Sequence, residues 1–222
     1  MTNNKAHAAK VATYFDRIAN DFDSYYGKPS HWFQRLTNEF LRKPVIVKRL
    51  ALTLKALNQK PSKTILDIGC GSGVLAIPLA KQGHRVVGVD FSVPMIEIAQ
   101  KKAKEAGVSI EFKVMDFLTG EAPAVDSCVA LGVLEYFKDP HDIIQKMIAC
   151  ANPGGFVVFD IPELLNYHTP LRLPYLLWRK TRAYFYTPWG ARKLIAPFKE
   201  TLSSSSFHHY GAGYLVVLQK KS

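Results

Sequence analysis

The chain has 222 residues, 48% hydrophobic and 21% charged, which suits one large domain, or a domain with a modest lid, around a substantial core. No apolar run approaches the roughly 20 residues of a bilayer span, and the opening MTNNKAHAAKVATYF has no apolar h-region, so neither a membrane-spanning protein nor a secretory signal is expected. Cys70, Cys128 and Cys150 are odd in number and lack zinc-ligand spacing, which fits a reduced, cytoplasmic setting with no metal site.

The net charge of +11 is unevenly spread: residues 1–64 carry +8, residues 65–160 carry −4 and residues 161–222 carry +7. Basic flanks favour an anionic partner such as a phosphate or carboxylate substrate, an anionic membrane or nucleic acid. The same charge also serves as an ordinary solvated surface.

Along the chain, Val11, Phe15, Ile18 and Phe22 fall on one face of a helix over residues 6–23. A second helical stretch covers residues 31–57, interrupted or kinked at Pro44. After Pro61 the pattern changes to alternating strands and helices. Strands are predicted at Lys63–Ile68, His84–Val89, Ile110–Met115, Ser127–Gly132 and Phe156–Ile161. Helices are predicted at Val74–Gln82, Pro94–Ala106 (closed by Gly107) and His141–Cys150, with Asn152-Pro153-Gly154-Gly155 as a turn before the fifth strand. Such alternation predicts an α/β fold with a doubly wound, mostly parallel sheet and right-handed crossovers. Residues 162–187 break the rhythm with prolines, aromatics and basic residues, and read as an inserted lid. A short helix at Pro188–Phe198 and an antiparallel pair near Leu202–Tyr210 and Tyr214–Gln219 complete the chain. The expected organisation is an N-terminal helical cap (1–60) and one domain (61–222) carrying the lid.

In a doubly wound sheet, ligands bind at the carboxyl ends of the strands, near the switch in strand order. The first such loop reads Leu66-Asp67-Ile68-Gly69-Cys70-Gly71-Ser72-Gly73. Its glycines allow a tight turn and close approach to a ligand. The spacing is G-x-G-x-G rather than the G-x-G-x-x-G of dinucleotide binders. Asp67 would crowd a pyrophosphate but suits a ligand bearing an ammonium and a sulfonium. The second strand ends at Asp90, followed by Phe91, where an acid can accept both ribose hydroxyls. Asp116-Phe117 after the third strand can hold and cover an adenine. The fourth strand runs through Leu131 and Gly132 into Glu135 and Tyr136. Each acid also has a plainer role: Asp67 or Asp90 could cap a helix, and Asp116 could be a turn residue. Cys70 fits a small packing residue better than a nucleophile.

LDIGCGSG (66–73), VVGVDFS (86–92), Asp116-Phe117 and Asn152-Pro153-Gly154-Gly155, in order and at this spacing, resemble motifs of the class I S-adenosylmethionine-dependent methyltransferases over about residues 63–161. LDIGCGSG (66–73) resembles the family's first motif and VVGVDFS (86–92) its ribose-binding loop. The resemblance implies a Rossmann-like methyltransferase fold, S-adenosylmethionine as cofactor and S-adenosylhomocysteine as product. It places Asp67, Gly69, Gly71 and Gly73 along the methionine part, with Cys70 in the same loop. Asp90 goes to the ribose, Asp116 to the adenine amino group, Phe91 and Met95 around the nucleoside, and Leu131 and Gly132 near the methionyl end. TYFDRIANDFD (13–23) resembles the leading helix of quinone-type methyltransferases. Those enzymes carry a tyrosine where this chain has Phe22, so no contact is carried over to Phe22, and Tyr14, Tyr25 or Tyr26 would supply a hydroxyl instead.

In-line methyl transfer needs alignment and exclusion of water, with a general base if the acceptor is a hydroxyl. Base candidates are Glu135, Tyr136, His141, His31 and His168, with Tyr136 and His168 preferred. The mix of basic and aromatic residues over 171–186 suits a small anionic or lipid-like acceptor, clasped by Arg172 or Arg179, or peripheral contact with an anionic membrane. An ordinary lid packed on the sheet is the plainer alternative. Nucleic acid is not expected, since no N-P-P-Y-type or paired-cysteine motif is present. An RNA methyltransferase or basic binding module and an NAD-dependent oxidoreductase remain the competing classes.

Overall fold

The computed structural model describes residues 43–58, 63–164 and 183–222. The chain forms α1 (Lys43–Leu57), β1 (Thr64–Ile68), α2 (Ala76–Lys81), β2 (Arg85–Asp90), α3 (Val93–Glu105) and β3 (Glu111–Val114). It continues with β4 (Val125–Ala130), a 3-10 turn (Leu134–Tyr136), α4 (His141–Cys150), β5 (Ala151–Pro162), α5 (Pro188–Ile195), a 3-10 stretch (Ala196–Thr201), β6 (Leu202–His209) and β7 (Gly213–Lys220). The predicted elements on described residues are present, with ends unmoved or shifted by at most three residues, except that β5 begins five residues early, at Ala151. The predicted helix over 6–23 and residues 31–42 of the second helix lie outside the described residues.

The seven strands stand in the order β3-β2-β1-β4-β5-β7-β6. β1 to β5 are parallel, while β7 runs antiparallel to β5 and β6 antiparallel to β7. The chain winds outward from β1 to β3 and then returns to β4 on the other side of β1. That reversal places the switch point between the carboxyl ends of β1 and β4.

Period-two side-chain alternation sorts the core onto two faces. Leu66, Val87, Cys128 and Val157 join the helix residues Ile143, Ile144, Met147 and Leu194 on one face. Ile65, Val86, Val129 and Val158 join Leu57, Leu75 and Leu79 on the other. Near-continuous apolar strands of this kind are what a sheet covered on both sides requires. α3 starts where Ser92 caps it, the hydroxyl accepting from the Met95 amide at 3.4 Å, and it stops before Gly107, whose φ is +67°.

One arrangement differs from the sequence expectation, and a second was not specified by it. Asn152-Pro153-Gly154-Gly155 is a turn-like excursion inside β5 rather than a loop before it: Val125 pairs with Ala151, and Ser127 already pairs with Phe156. The excursion rests on Asp126, whose carboxylate accepts the Asn152 side-chain amide at 3.1 Å. The closing hairpin is present, but its second strand is the inner one, so β7 separates β6 from β5. At Gly213 any Cβ would run into the Ile161 carbonyl, so glycine there is what lets β7 close on β5.

Of the inserted segment, both ends are described. Leu164 donates to the Tyr186 carbonyl at 2.9 Å and Tyr186 to the Pro162 carbonyl at 2.9 Å, so the segment leaves and returns side by side. The Tyr184 amide donates to the Glu135 carbonyl at 2.7 Å, tying the returning arm to the turn after β4.

Candidate active site

Asp67 stands at the end of β1, 2% exposed. Its carboxylate accepts the Ala76 amide at the start of α2, while Oδ2 has no hydrogen-bond partner. Burial, then the nearby charge of Asp90, pushes its carboxyl up from 3.8 to about 8, against the pull of the Ala76 amide. The carboxylate thus takes the helix-capping role while Oδ2 faces no protein donor. The following turn places Gly69, Gly71 and Gly73 all at positive φ. A Cβ at Gly69 would collide with Val133 Cγ2, whereas one at Gly71 would meet nothing within 4 Å. Gly71 therefore borders open space.

Among the described residues, two buried side-chain atoms lack a partner: Asp67 Oδ2 and Ser72 Oγ. Both belong to this one loop. Leaving such an atom unmade costs about 1–3 kcal/mol, so a ligand with N–H, O–H or cationic groups would recover that cost. Ser72 is absent from the sequence-based candidates, because a serine among glycines reads simply as a turn residue.

Asp90 ends β2 and faces the same turn. Its Oδ2 accepts the Gly71 amide at 2.9 Å and its Oδ1 the Ser92 amide at 2.9 Å. Each oxygen retains lone-pair capacity for a hydroxyl. Phe91 is half-buried, while Met95 is 1% exposed on the inner side of α3. Cys70 is buried, and burial followed by the charges of Asp67 and Asp90 holds its thiol far above the usual range, as expected of a packing residue.

Asp116 is exposed, and its Oδ1 accepts the Leu118 amide at 2.9 Å. The turn role is therefore present. Phe117 is buried in the larger core cluster. Lys146 from α4 donates to the Leu118 and Gly120 carbonyls at 3.1 and 2.6 Å and lies 5.2 Å from the Phe117 ring centroid, which fixes this loop.

Beyond β4, Leu131 and Gly132 follow directly at the switch point. The Gly132 amide donates to Asp160 Oδ1 at 2.6 Å. Asp160 Oδ2 accepts Arg49 Nη1 at 2.8 Å and the Tyr210 hydroxyl at 2.9 Å. Tyr136 is half-buried in the 3-10 turn, and Glu135 beside it is buried. His141 is turned toward Asp139, with its ring 6.0 Å from Phe198. His31 and His168 lie outside the described residues. Farther along the same edge, Glu163 accepts the Tyr214 hydroxyl at 2.7 Å and pairs with His209 at 2.9 Å. Arg49, Asp160, Tyr210 and Glu163 were not singled out from the sequence, since no local spacing joins them. The described residues hold no group of three His, Cys, Asp or Glu side chains able to bind a metal.

A strand order of 3-2-1-4-5-7-6 with an antiparallel seventh strand, an acid-flanked glycine turn after β1 and a second acid after β2 defines the class I methyltransferase fold. The sequence model of the family "Methyltransferase domain" matches residues 65–155. The ubiquinone biosynthesis O-methyltransferase of Coxiella burnetii is 29% identical over 181 residues, covering 80% of this chain and 65% of the relative. That of Methylocella silvestris is 39% identical over 95 residues, 42% of this chain and 37% of the relative. The chain thus spans about two thirds or less of the length of these curated relatives. Among solved structures, magnesium protoporphyrin IX methyltransferase from Synechocystis PCC 6803 with bound SAH superposes with a TM-score of 0.73 at 22% identity, covering 97% of this chain and all of the other. N-methyltransferase NodS from Bradyrhizobium japonicum WM9 with S-adenosylhomocysteine gives 0.63 at 20% identity, covering 92% and 98%. Residues 65–155 accordingly match a methyltransferase-domain family, within a chain that has the fold of the class I S-adenosylmethionine-dependent methyltransferases.

Proposed function

We propose that this protein is an S-adenosylmethionine-dependent methyltransferase acting on a small anionic or lipid-like acceptor. The observation that carries this reading is the pair of orphaned buried atoms, Asp67 Oδ2 and Ser72 Oγ, in a glycine turn that opens onto free space at Gly71. A buried carboxylate with an unused oxygen suits an ammonium and sulfonium and repels a pyrophosphate, which sets the dinucleotide-dependent oxidoreductase aside.

In this reading Asp67, Gly69, Cys70, Gly71, Ser72 and Gly73 form the wall along the amino-acid part. Asp90 receives the ribose hydroxyls, and Asp116, Phe117, Phe91 and Met95 serve the nucleoside, the last three through packing. Leu131 and Gly132 border the methyl-bearing end. When bound, S-adenosylmethionine supplies a methyl on a positively charged sulfur that leaves as a neutral thioether. The chain's own part is to hold the acceptor in line and keep water out, with effective-molarity gains of several kcal/mol available from orientation. Tyr136, in the 3-10 turn that follows β4 and the Leu131–Gly132 segment, takes the acceptor's proton if the acceptor is a hydroxyl, with His168 as the second candidate.

The curated relatives are named for ubiquinone biosynthesis and a structural neighbour for magnesium protoporphyrin IX, both of which support a bulky, apolar small-molecule acceptor. We further assign residues 1–60 as a helical cap and 162–187 as the lid over the acceptor. The exposed Leu164 and Trp189, with Lys193 Nζ 4.4 Å from the Trp189 ring centroid, lie beside the lid's ends and support contact with an anionic membrane. No helix among the described residues is long and apolar enough to cross a bilayer.

The direct test is calorimetric titration with S-adenosylhomocysteine: saturable one-to-one binding is expected, and none at millimolar ligand would refute the assignment. Sedimentation with vesicles tests the membrane contact, which fails if binding ignores their anionic lipid content.

A further inference from the structure

Asp160 is 4% exposed, yet three donors from three separate elements converge on it. Arg49 comes from α1, Tyr210 from the β6–β7 turn, and the Gly132 amide from the segment following β4. Register fixes where this hub sits. Ile68 pairs with Ala130, and Ala130 with Phe159, so Gly69, Leu131 and Asp160 come next at one level across β1, β4 and β5. The hub thus lies at the switch point, beside the glycine turn, and touches the backbone of a residue bordering the cleft.

Stability alone is a poor reason for such an arrangement. Burying an ion pair loses about as much solvation as the pairing returns, and a well-packed apolar set often does as well. What an ionised carboxylate does here is accept three donors in fixed directions. Gly132 is held at φ +68°, a left-handed conformation, with its amide aimed at Asp160 rather than into the cleft. An apolar residue in place of Asp160 would leave that peptide free to turn.

We propose that Asp160 is a positioning residue: its carboxylate locks the Leu131–Gly132 peptide to α1 and to the β6–β7 turn, and so shapes the amino-acid end of the cofactor cleft. This rests on the reading that the cleft takes S-adenosylmethionine. It also makes α1 part of the binding apparatus through Arg49, rather than a passive cover.

The test compares two probes on the full chain: S-adenosylhomocysteine, which has the amino-acid tail, and 5′-methylthioadenosine, which lacks it. Asp160→Asn keeps the volume but places an amide where donors must be accepted. It should weaken S-adenosylhomocysteine about tenfold, while methylthioadenosine stays within about twofold. Hydrogen exchange at the Gly132 amide should accelerate in the same variant. Tyr210→Phe, which leaves the ion pair intact, should show the same selectivity at smaller size and serves if Asp160→Asn fails to fold. Equal weakening of both probes, or of neither, in a folded variant would overturn the proposal while leaving the methyltransferase reading in place. A wild-type chain that binds neither probe would sink that reading and this proposal with it.

Discussion

The Asp90 carboxylate accepts the Gly71 amide at 2.9 Å, across 19 residues of chain. One side chain at the end of β2 thereby holds the glycine turn that follows β1. Its other oxygen holds the Ser92 amide at the mouth of α3. Asp90→Ala should therefore abolish binding of S-adenosylhomocysteine and also cost stability. The loss from two backbone donors without an acceptor is about 1–3 kcal/mol for each that water cannot reach. Asp90→Asn, which keeps one acceptor, should unfold at a higher temperature than the alanine variant yet still bind weakly. Calorimetry and thermal melts separate the two effects, and unaltered affinity in Asp90→Ala would remove Asp90 from the site.

Two glycines in the turn should respond in opposite ways. Gly69→Ala drives a methyl into Val133 at φ +65° and should lower stability by about 2–5 kcal/mol. Gly71→Ala meets no protein atom, so only the left-handed conformation is penalised, by about 1–2 kcal/mol. Its methyl instead enters the open space that the proposed ligand would occupy. Gly71→Ala should melt only a few degrees below wild type, less than Gly69→Ala is lowered, and lose affinity for S-adenosylhomocysteine. A folded Gly71→Ala protein with wild-type affinity would show that the ligand does not approach this turn.

Asp67 makes binding depend on pH. Burial, then Asp90, raises its carboxyl to about 8, so the protonated form is favoured in the folded chain. The stability tied to that form is fully present below its ordinary value of 3.8 and is lost as pH rises through about 8. A cationic ligand favours the charged form and draws the proton off. Binding near pH 7 should release up to about one proton, and affinity should improve from about pH 6 to pH 8. Titrations in phosphate and in Tris, which differ in ionisation enthalpy, would then give different heats. Identical heats would mean that Asp67 does not change charge on binding.

At the opposite end of the sheet, His84 accepts the Lys63 amide on Nδ1 at 3.3 Å and contacts Asn58 through Nε2 at 2.7 Å. Burial, then the charge of Lys63, lowers its pKa below the ordinary 6.5. The folded chain resists a proton that the unfolded chain accepts, so this contribution is present above 6.5 and declines as pH falls through it. The melting temperature of wild type should drop more steeply between about pH 7 and pH 5 than that of His84→Gln. Parallel slopes would show that His84 plays no part in acid sensitivity.

Much of this site is local in sequence. Asp67 and Asp90 stand at the ends of the apolar strands β1 and β2, Asp116 follows the short β3, and the glycines between Ile68 and Val74 announce a tight turn, so the strand ends and the turn between them were readable without coordinates. What links the parts is not local. Arg49 and Asp160 are 111 residues apart, and Asp160 and Tyr210 are 50 apart, so no spacing rule brings them together. The placement of β7 between β5 and β6 was equally hidden, because a hairpin's alternation does not say which strand faces inward. Asn152–Gly155 carries strong turn residues, and it was the Asp126 side chain, packed beneath, that kept the excursion inside the strand.

The central claim is that the glycine turn and its carboxylates take a sulfonium nucleoside rather than a dinucleotide. Side-by-side calorimetry of the wild-type chain with S-adenosylhomocysteine and with NAD addresses it most directly. Saturable one-to-one binding of S-adenosylhomocysteine with no heat from NAD is the expected outcome. Binding of NAD with none of S-adenosylhomocysteine would contradict it.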